Sequence, residues 1–417
     1  MPIFRASNLI ILFTMIRIFA KTAFLFLSFT ICATFISGCQ GEKDSRIVQE
    51  KNYLKRREAV ADIVKEGLIV VNPITSRRID NMNIYYLSGQ FEKGQTLVFD
   101  AANPADFTIF TADQKEELDS YIAGKKTFDP DSVLVYMRAI KEPEEIKALR
   151  QAIDLTAEGL RQMLDSARAQ PGLTEKEILE IFKQKIVALG SEGASFGQVA
   201  AGSSAASPHA PTLDEVPTPD EMFVVDVGAI KEGYTGDITI CFTLSGKFSE
   251  EQQTIYDIIY RSLEAAVGQM VAGNNHAKTE SMAMDLIMKD LYDLGLVTDL
   301  NSPWQRSFWI QHGFGHHIGL DVHDVWYDYI RMVPNDVRVY LPNMVITIEP
   351  GLYFAEDALK SVPRRLANRV SEEEFMAFAK EIEPIYEKYK GIAVRLEEDI
   401  LIKADGTNEN LSKMILK

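Results

Sequence analysis

Residues 311–324, QHGFGHHIGLDVHD, are the stretch from which the fold and function of this chain are inferred. They contain His312, His316, His317 and His323, four of the six histidines in the protein. Neutral imidazole binds divalent metals, and histidine exchanges protons near neutral pH. Three glycines in the same run let the backbone turn tightly and approach a ligand. A histidine cluster fits a structured polar loop as well as a metal site, so carboxylates elsewhere in the chain must decide between the two.

The composition is that of a globular protein and excludes one class of partner. A chain of 417 residues with 46% hydrophobic and 25% charged residues can form two domains, or one large domain and a small one. Its net charge is −16 and its pI is about 5.0. Nucleic-acid binding needs a basic face, so no nucleic-acid partner is expected.

The amino terminus carries the pattern of a secretory signal. Arg17 and Lys21 precede the apolar run TAFLFLSFTICATFI, which is followed by Ser37, Gly38 and Cys39. A basic segment, a short apolar segment and small residues before the cut are typical of a signal peptide. The ending resembles a bacterial lipobox, which predicts a lipoprotein signal over residues 1–38 and lipidation of Cys39. A plain transmembrane anchor is the alternative, and both predict an exported protein held at the membrane of a bacterial cell envelope.

Residues 39–141 are expected to form a small α/β domain. The runs at 83–89, 97–101 and 131–138 are apolar, β-branched or aromatic and are bounded by turn-forming residues, a pattern that predicts strands, and residues 67–71 are a short apolar run before a turn. Pro143 after Lys141-Glu142 then marks a boundary, because proline is favoured at the first helical position. The second domain is therefore expected to span residues 142–417.

Two helices and a loop are predicted at the start of the second domain. The first helix runs from Pro143 to about Arg168. The second begins after Thr174, because Glu177 three residues later completes a capping-box pattern, and it continues to Leu189. Residues 190–207 are rich in glycine and serine and are expected to form a loop.

A hairpin over residues 222–242 brings the first pair of carboxylates together. If the two strands pair about a centre between residues 231 and 232, Asp226 lies directly opposite Asp237. Directly opposed residues have Cβ atoms about 5 Å apart. Two carboxylates this close repel unless a cation lies between them. Both strands are rich in Val, Ile and Phe, so a buried metal site is favoured over a solvated face.

Two late strands add further carboxylates. The strand at 344–349 places Glu349 at its end, before a Pro-Gly turn. The strand at 391–402 alternates, so that Arg395, Glu397 and Asp399 share a polar face while Glu398 lies on the apolar one. This alternation favours Glu397 over Glu398 as a site residue.

A carboxylate-rich set with one histidine suits a pair of divalent ions, Mn²⁺, Co²⁺ or Zn²⁺. Two such ions about 3.5–4 Å apart hold a bridging hydroxide and stabilise the oxyanion formed when it attacks a carbonyl. The chain contains no P-loop or HExxH motif, and metal-assisted hydrolysis is the leading chemistry.

Four motifs in order resemble those of the metallopeptidase family that includes aminopeptidase P, prolidase and methionine aminopeptidase. They are Asp226-Val-Gly with Asp237 eleven residues on, HGFGHHIGLDVHD, IEPGLY at 348–353 and VRLE at 394–397. The resemblance covers residues 142–417 and implies an α+β pita-bread (creatinase/aminopeptidase-like) catalytic domain after the small α/β domain. YYLSG at 85–89 is similar to a fragment of the aminopeptidase P amino-terminal domain.

The resemblance also implies a role for each matching residue. The implied metal ligands are Asp226, Asp237, His316, Glu349 and Glu397. Of these, Asp237 and Glu397 would bridge two ions, with Mn²⁺ expected first and Zn²⁺ or Co²⁺ as alternatives, and Glu349 would also shuttle a proton.

The remaining implied roles concern the substrate. His323 would hydrogen-bond the scissile carbonyl, and His209 would contact the substrate or shuttle protons. His312, which opens the extended HGxGH form of the proline-specific branch, would bind substrate together with Tyr353, and Arg395 would orient the neighbouring carboxylates. His276 and His317 match no functional position and are expected to be packing or surface residues.

The expected function is that of an exported, lipid-anchored Xaa-Pro aminopeptidase, which removes the first residue from peptides with proline second. A prolidase acting on Xaa-Pro dipeptides is the near alternative, and a non-catalytic peptide-binding lipoprotein on the same fold is the more distant one. A helical insertion at about 357–389 and the short amino-terminal domain leave peptide length and oligomeric state open, a homodimer included.

Overall fold

The computed structural model describes residues 41–74 and 81–412, with side chains from residue 50 onward. The predicted signal peptide and the predicted lipidation site Cys39 lie outside the described residues. Within the described ranges, no helix is both long and apolar enough to cross a membrane. Residues Tyr53–Lys417 form one compact unit, so the predicted domain boundary near residue 142 lies inside it.

The first block is an α/β unit built on a four-stranded sheet. Its strands are β1 (Leu68–Val71), β2 (Thr96–Asp100), β3 (Asn103–Phe110) and β4 (Thr127–Phe128), in the order β3-β2-β1-β4. Strand β1 is antiparallel to β2 and parallel to β4. Its helices are α1 (Gly41–Val64), α2 (Asn83–Ser88), α3 (Lys115–Ile122) and α4 (Asp131–Ala139), with a 3₁₀ turn at Ala112–Gln114 before α3.

Two of the three strands predicted in this block are helices. Residues 83–88 form α2, which ends at Gly89 with a φ of 71°, and residues 131–139 form α4. A short apolar run that is buried on most sides has the same composition in either structure, so its periodicity could not separate the two. The side chain of Asn83 donates to Asp131 Oδ1 at 2.9 Å, and this bond joins the two helices.

The second block opens as the sequence predicts. Helix α5 (Pro143–Ala169) has proline in its first turn, and α6 (Glu175–Ala188) is capped by Thr174, whose side chain accepts the Glu177 N–H. The next segment differs from the prediction, because the expected loop at 190–207 contains strand β5 (Gly193–Ala201) and a 3₁₀ turn (Gly202–Ala205). The small residues of this segment are typical of loops, but pairing with the next strand of the chain stabilises it as a strand.

The remaining elements complete the second block around one large apolar core. The strands are β6 (Phe223–Lys231), β7 (Tyr234–Thr235), β8 (Ile238–Phe242), β9 (Val345–Ile348), β10 (Gly351–Tyr353), β11 (Ala393–Arg395), β12 (Glu398–Ile402) and β13 (Asn408–Asn410). The helices are α7 (Glu250–Gln269), α8 (His276–Asp293), α9 (Pro303–Trp309), α10 (Trp326–Met332) and α11 (Glu372–Tyr389), with a 3₁₀ turn at Arg364–Leu366.

Three sheets contribute to the site. Strands β5, β6 and β7 are neighbours in that order, and β8 also pairs with β6. A second sheet has the order β13-β12-β9, and β10 pairs with β11 in a third. An isolated bridge between Thr239 and Glu397 connects β8 to the segment between β11 and β12. This bridge brings Glu397 next to the hairpin that carries Asp226 and Asp237.

The hairpin register differs by two residues from the prediction. The turn is centred between Glu232 and Gly233, so Asp226 pairs with Thr239 rather than with Asp237. Both turn residues have positive φ (51° and 77°), as a two-residue type I′ turn requires. A shift of two residues keeps the same face, so Asp226 and Asp237 still lie on one side of the sheet.

The segment predicted as one long final strand is two strands. Strand β11 ends at Arg395 and β12 begins at Glu398, and the two pair with different partners. The interruption lies at Leu396-Glu397, where Glu397 N donates to Thr239 O at 3.0 Å. The predicted alternation still holds for Arg395 and Glu397, both of which line the site cavity, whereas Glu398 does not line it.

Candidate metal centre and substrate cavity

Three of the five predicted metal ligands form a buried cluster. Possible ligand atoms of Asp237, His316 and Glu397 all lie within 4.8 Å of one another. His316 Nε2 is 3.5 Å from Asp237 Oδ2 and 3.7 Å from Glu397 Oε1. It is also 3.7 Å from Glu349 Oε1. The imidazole nitrogen therefore faces three carboxylates from separate parts of the chain.

Main-chain pairing positions His316 beside Glu349. Thr347 N donates to His316 O at 2.8 Å, and Glu349 N donates to Phe314 O at 2.8 Å, so the histidine run lies along β9. A Cβ on Gly315 would lie 2.4 Å from Thr347 O, which makes glycine necessary for this close approach. His316 Nδ1 lies 3.2 Å from His317 O, an arrangement that leaves Nε2 directed at the carboxylates.

Arg395 holds the fourth carboxylate, Asp226, on the edge of the cluster. Arg395 Nη2 donates to Asp226 Oδ2 at 2.5 Å, and Nη1 donates to the Tyr353 hydroxyl at 3.0 Å and to Pro208 O at 2.8 Å. The same hydroxyl is 2.9 Å from His312 Nε2. This chain of contacts connects the predicted substrate residue His312 to the predicted ligand Asp226.

Tyr353 lies behind the cavity and does not line it. Its side chain is only 2% exposed, and its hydroxyl is shared between Arg395 and His312. The structure thus shows Tyr353 positioning Arg395 and His312, and its predicted contact with substrate stays a prediction. His312 and Arg395 do line the cavity.

The carboxylates of the cluster cannot all ionise without a cation. Burial, followed by the charge of Glu397, raises the pKa of Asp237 and of Glu349 well above the ordinary range. Burial also raises the pKa of Asp226, although Arg395 opposes the shift. Burial acts in the same direction on Glu397, but contact with His316 and the charge of Arg395 outweigh it, so that its pKa is lowered.

The donor set fits divalent metal. Asp226 Oδ1, Asp237 Oδ1 and Glu397 Oε1 are buried, and no described residue donates a hydrogen bond to them. Buried carboxylate oxygens without donors are costly unless a cation coordinates them. Oxygen ligands with one imidazole are what Mn²⁺, Co²⁺ and Zn²⁺ accept. The cluster is therefore chemically suited to hold metal.

A cavity of about 900 Å³ opens on this cluster. Its wall includes the predicted substrate residues His209 and His323 and four of the predicted ligands besides His316. The exposed ring of His323 meets the ring of His316 edge to face, with centroids 4.4 Å apart. Burial and the charge of Arg395 lower the pKa of His312 to about 4, so this ring is neutral at pH 7.

The two histidines without a predicted role are packing residues. His317 is completely buried against Trp326 and Tyr329, and its ring nitrogens have no hydrogen-bond partner in the described ranges. His276 packs against Trp326 and Tyr340 at the start of α8. Burial lowers the pKa of both rings, which keeps them neutral.

Three residues near the site were not singled out from the sequence. The Thr239 hydroxyl donates to Glu397 Oε2 at 2.8 Å and accepts from Arg395 Nε at 3.3 Å. Asp399, predicted only to share a face, accepts the Asp237 N–H at 3.2 Å. Glu280 lines the cavity from α8. Strand alternation could have indicated Thr239, which lies two residues after Asp237, but no sequence signal indicates Glu280.

The insertion at 357–389 packs away from the cavity. None of its residues lines the cavity, and its helix α11 buries six side chains in the apolar core: Phe375, Phe378, Ala379, Ile382, Tyr386 and Tyr389. The edge-to-face contact of Phe378 with Trp304 is part of this packing. The insertion therefore contributes to the apolar core and not to the cavity wall.

The sequence of this chain is similar to those of Xaa-Pro aminopeptidases. The Xaa-Pro aminopeptidase of Escherichia coli K12 is 29% identical over 341 residues, which cover 80% of this chain and 68% of that protein. The Xaa-Pro aminopeptidase of Haemophilus influenzae is 31% identical over 281 residues, which cover 66% of this chain and 58% of that protein. The chain thus spans about three fifths of the length of such relatives.

Solved structures show the same fold. Aminopeptidase P from E. coli with the inhibitor Pro-Leu superposes with a TM-score of 0.69 at 22% identity, covering 88% of this chain and 96% of that one. Proline aminopeptidase P II from Yersinia pestis gives 0.70 at 22% identity, covering 88% and 97%. The predicted pita-bread fold with an amino-terminal α/β block is confirmed. Residues 147–404 match the model of metallopeptidase family M24, a metal-dependent family, and the chain therefore belongs to it as an Xaa-Pro aminopeptidase-like hydrolase.

Proposed function

We propose that this protein removes the amino-terminal residue from peptides that carry proline in the second position. The observation that carries the proposal is the position of His312 in the cavity wall, beside the cluster of Asp237, His316 and Glu397. His312 belongs to the extended HGxGH run, and the chain resembles Xaa-Pro aminopeptidases over 66–80% of its length.

The proposed cofactor is a pair of divalent ions, with Mn²⁺ as the first candidate. The residues that would hold them are Asp226, Asp237, His316, Glu349 and Glu397, whose buried oxygens favour a cation. Ions bound there would lower the pKa of a water molecule and polarise the scissile carbonyl. Arg395 and Thr239 fix the carboxylates of Asp226 and Glu397, which limits the reorganisation that metal binding requires.

The side chains around the cluster supply the proton transfers and the substrate contacts. Glu349, whose pKa is raised by burial, accepts a proton from the attacking water and passes it to the leaving proline nitrogen. His323, exposed on the cavity wall, donates a hydrogen bond to the carbonyl oxygen as negative charge develops there. His209 also lines the cavity and contacts the substrate.

A peptide panel separates this activity from its alternatives. We expect purified protein with Mn²⁺ to release alanine from Ala-Pro-Ala-Ala, with the products followed by mass spectrometry. Cleavage of Ala-Pro alone identifies a prolidase instead. Failure to cleave either peptide with Mn²⁺, Co²⁺ or Zn²⁺, together with no bound metal by elemental analysis, identifies a non-catalytic binding protein.

A matched variant tests the assigned chemistry. Replacing Glu349 by Gln keeps its size but removes the proton acceptor, so turnover is expected to fall at least a hundredfold. Circular dichroism of the variant should match that of the wild type. Undiminished turnover in Glu349→Gln contradicts the assignment.

The proposed location is the cell envelope, through a lipid on Cys39. The support is the order of a basic segment, an apolar segment and Ser37-Gly38-Cys39 in the sequence. Labelling with radioactive palmitate in a bacterial host should mark the wild type but not Cys39→Ala. Labelled Cys39→Ala protein, or a mature wild type that retains residues 1–38, contradicts the proposal.

A further inference from the structure

Glu280 is a carboxylate in the cavity wall that does not belong to the ligand cluster. It lies on α8, and its Oε1 accepts the Phe314 N–H at 2.5 Å. The same oxygen lies 3.1 Å from the position that a Cβ on Gly313 would occupy. Its carboxylate therefore lies against the histidine run, next to His312 and close enough for its charge to act on Glu349.

No lysine or arginine of the described ranges forms an ion pair with Glu280. The cation whose charge acts on it is Arg338, but Arg338 Nη2 donates to the main-chain oxygens of Ile330 (2.8 Å) and Val333 (2.9 Å). Arg338 lines the same cavity, but its nitrogens do not come within ion-pair distance of Glu280, so a peptide that enters the cavity meets this carboxylate without a direct ion pair. Burial raises the pKa of Glu280, and a cation supplied by the substrate beside it would favour its charged form, so that the two would bind as an ion pair.

The surroundings of Glu280 suit a long basic side chain. His276 precedes it by four residues on the same face of α8, and the His276 ring contacts the Trp326 ring at 4.7 Å. Trp326 and Ile330 line the same cavity. The Arg338 guanidinium already lies 5.9 Å from the centre of the Trp326 ring, so Trp326 and Ile330 are available to cover an apolar stem rather than a charged head. Lysine and arginine carry such a stem below their charged heads.

The depth of Glu280 assigns it to the first residue of the peptide. Of the residues that line the cavity, His323 and Tyr327 are exposed, whereas Glu280 and Trp326 are half-buried. An exopeptidase substrate has a single residue on the amino-terminal side of the cleaved bond, and the rest of the peptide leads out to solvent. The first side chain therefore lies in the enclosed part of the cavity.

We infer that Glu280 selects peptides whose first residue is lysine or arginine, by pairing with the cationic head while Trp326 covers the stem. This specificity rests on the aminopeptidase activity proposed above. It names the preferred first residue of that activity.

The isosteric variant Glu280→Gln tests the charge alone. Glutamine keeps the oxygen that accepts the Phe314 N–H but removes the negative charge. The matched control is Asp285→Asn, which removes a charge from the same helix at an exposed position paired with Arg306, outside the cavity. Asp285→Asn should leave selectivity as it is in the wild type.

The substrates are Lys-Pro-Ala-Ala, Leu-Pro-Ala-Ala and Leu-Pro-Lys-Ala, each assayed with Mn²⁺. The ratio of kcat/KM for the first two peptides is expected to favour lysine about tenfold in the wild type and to fall to about one in Glu280→Gln. A wild-type ratio of one, an unchanged ratio in Glu280→Gln, or a preference that follows lysine in the third position would overturn the assignment.

A binding measurement keeps this test separate from the proposed activity. Titration calorimetry with the dipeptides Lys-Pro and Leu-Pro reports selectivity even if no peptide is cleaved. Tighter binding of Lys-Pro that is lost in Glu280→Gln supports the inference without turnover, and equal binding of both dipeptides contradicts it. Absence of cleavage alone refutes only the aminopeptidase activity.

Discussion

The Thr239 hydroxyl lies between a ligand carboxylate and the arginine that organises the site. It donates to Glu397 Oε2 and accepts from Arg395 Nε. Groups that orient a metal ligand raise affinity by fixing its geometry before the metal arrives. We therefore expect Thr239 to support metal binding although it offers no ligand atom to the cluster.

Replacing Thr239 by Val should weaken metal binding with little effect on the fold. Valine keeps the shape but leaves Glu397 Oε2 without its donor, so Mn²⁺ affinity is expected to fall about tenfold to a hundredfold. Calorimetric titration of the metal-free protein with Mn²⁺ measures the change. Thr254→Val, on the exposed side of α7, is the control. Equal affinities in the two variants would exclude this role.

The buried ring of His276 predicts a dependence of stability on pH. Burial lowers its pKa from 6.5 to about 3, so the unfolded chain takes up a proton at a higher pH than the folded protein. The free energy of unfolding therefore falls as the pH decreases below about 6.5. Between pH 6.5 and 5.0 the loss from this residue is about 1.5 kcal/mol.

Urea unfolding at pH 6.5 and 5.0 measures this contribution. His276→Phe keeps an aromatic ring against Trp326 and Tyr340 but cannot bind a proton, so its decline with pH should be smaller than that of the wild type by about the same 1.5 kcal/mol. Parallel declines in the two proteins would mean that His276 titrates normally in the folded state.

At the scale of elements, the turn of the β6–β7 hairpin determines where the two aspartates lie. Because Glu232 and Gly233 both adopt positive φ, the strands pair two residues out of the predicted register. The alternation of side chains has a period of two, so this shift left both aspartates on the predicted face. Asp237, between β7 and β8, is then free of ladder pairing and reaches His316.

Helix α11 stabilises the core rather than the substrate pocket. Phe378 packs edge to face on Trp304 and Phe308. Phe378→Ala is expected to lower the free energy of unfolding by about 3–5 kcal/mol, because a large cavity would remain in the core. Urea titration measures this change. Met376→Ala, on the exposed face of the same helix, should change it by less than about 0.5 kcal/mol. Similar losses in both variants would contradict the packing described here.

At the scale of the whole molecule, buried ion pairs connect the first block to the histidine run at residues 311–324. Arg138 on α4 donates to Asp324 and, at 2.8 Å, to Asp321, and Lys141 Nζ donates to Asp324 Oδ2 at 2.5 Å. All but Asp321 are buried. Asp324 follows His323 directly, so this group of charges holds the loop that carries His323 in the cavity wall.

Asp324→Asn should destabilise the whole unit. It leaves two buried cations with reduced compensation, and the expected loss in free energy of unfolding is about 3–5 kcal/mol. Because the ion pairs join both blocks, residues 53–417 of the wild-type protein should unfold in urea in a single transition. Fluorescence and circular dichroism should both report that same transition. Asp328→Asn, at a half-buried surface pair with Arg331, should cost less than about 1 kcal/mol. Two separate transitions in the wild type would contradict this coupling.

The sequence by itself determined the chemistry of the site and the general architecture. Residue types and their order along the chain indicated the carboxylates, the histidine run and the α/β first block, because metal ligation requires particular side chains and strands impose a period of two. Helix starts at Pro143 and Thr174 were also predictable, since capping depends on adjacent residues.

Only the tertiary structure decided features that depend on contacts between distant residues. The helical state of 83–88 and 131–139, the strand at 193–201 and the break before Glu398 follow from burial and pairing partners that local sequence does not specify. The same holds for the enclosed position of Tyr353, the bond from Thr239 to Glu397 and the entry of Glu280 into the cavity wall. Each depends on which segments pack together, a property of the folded chain as a whole.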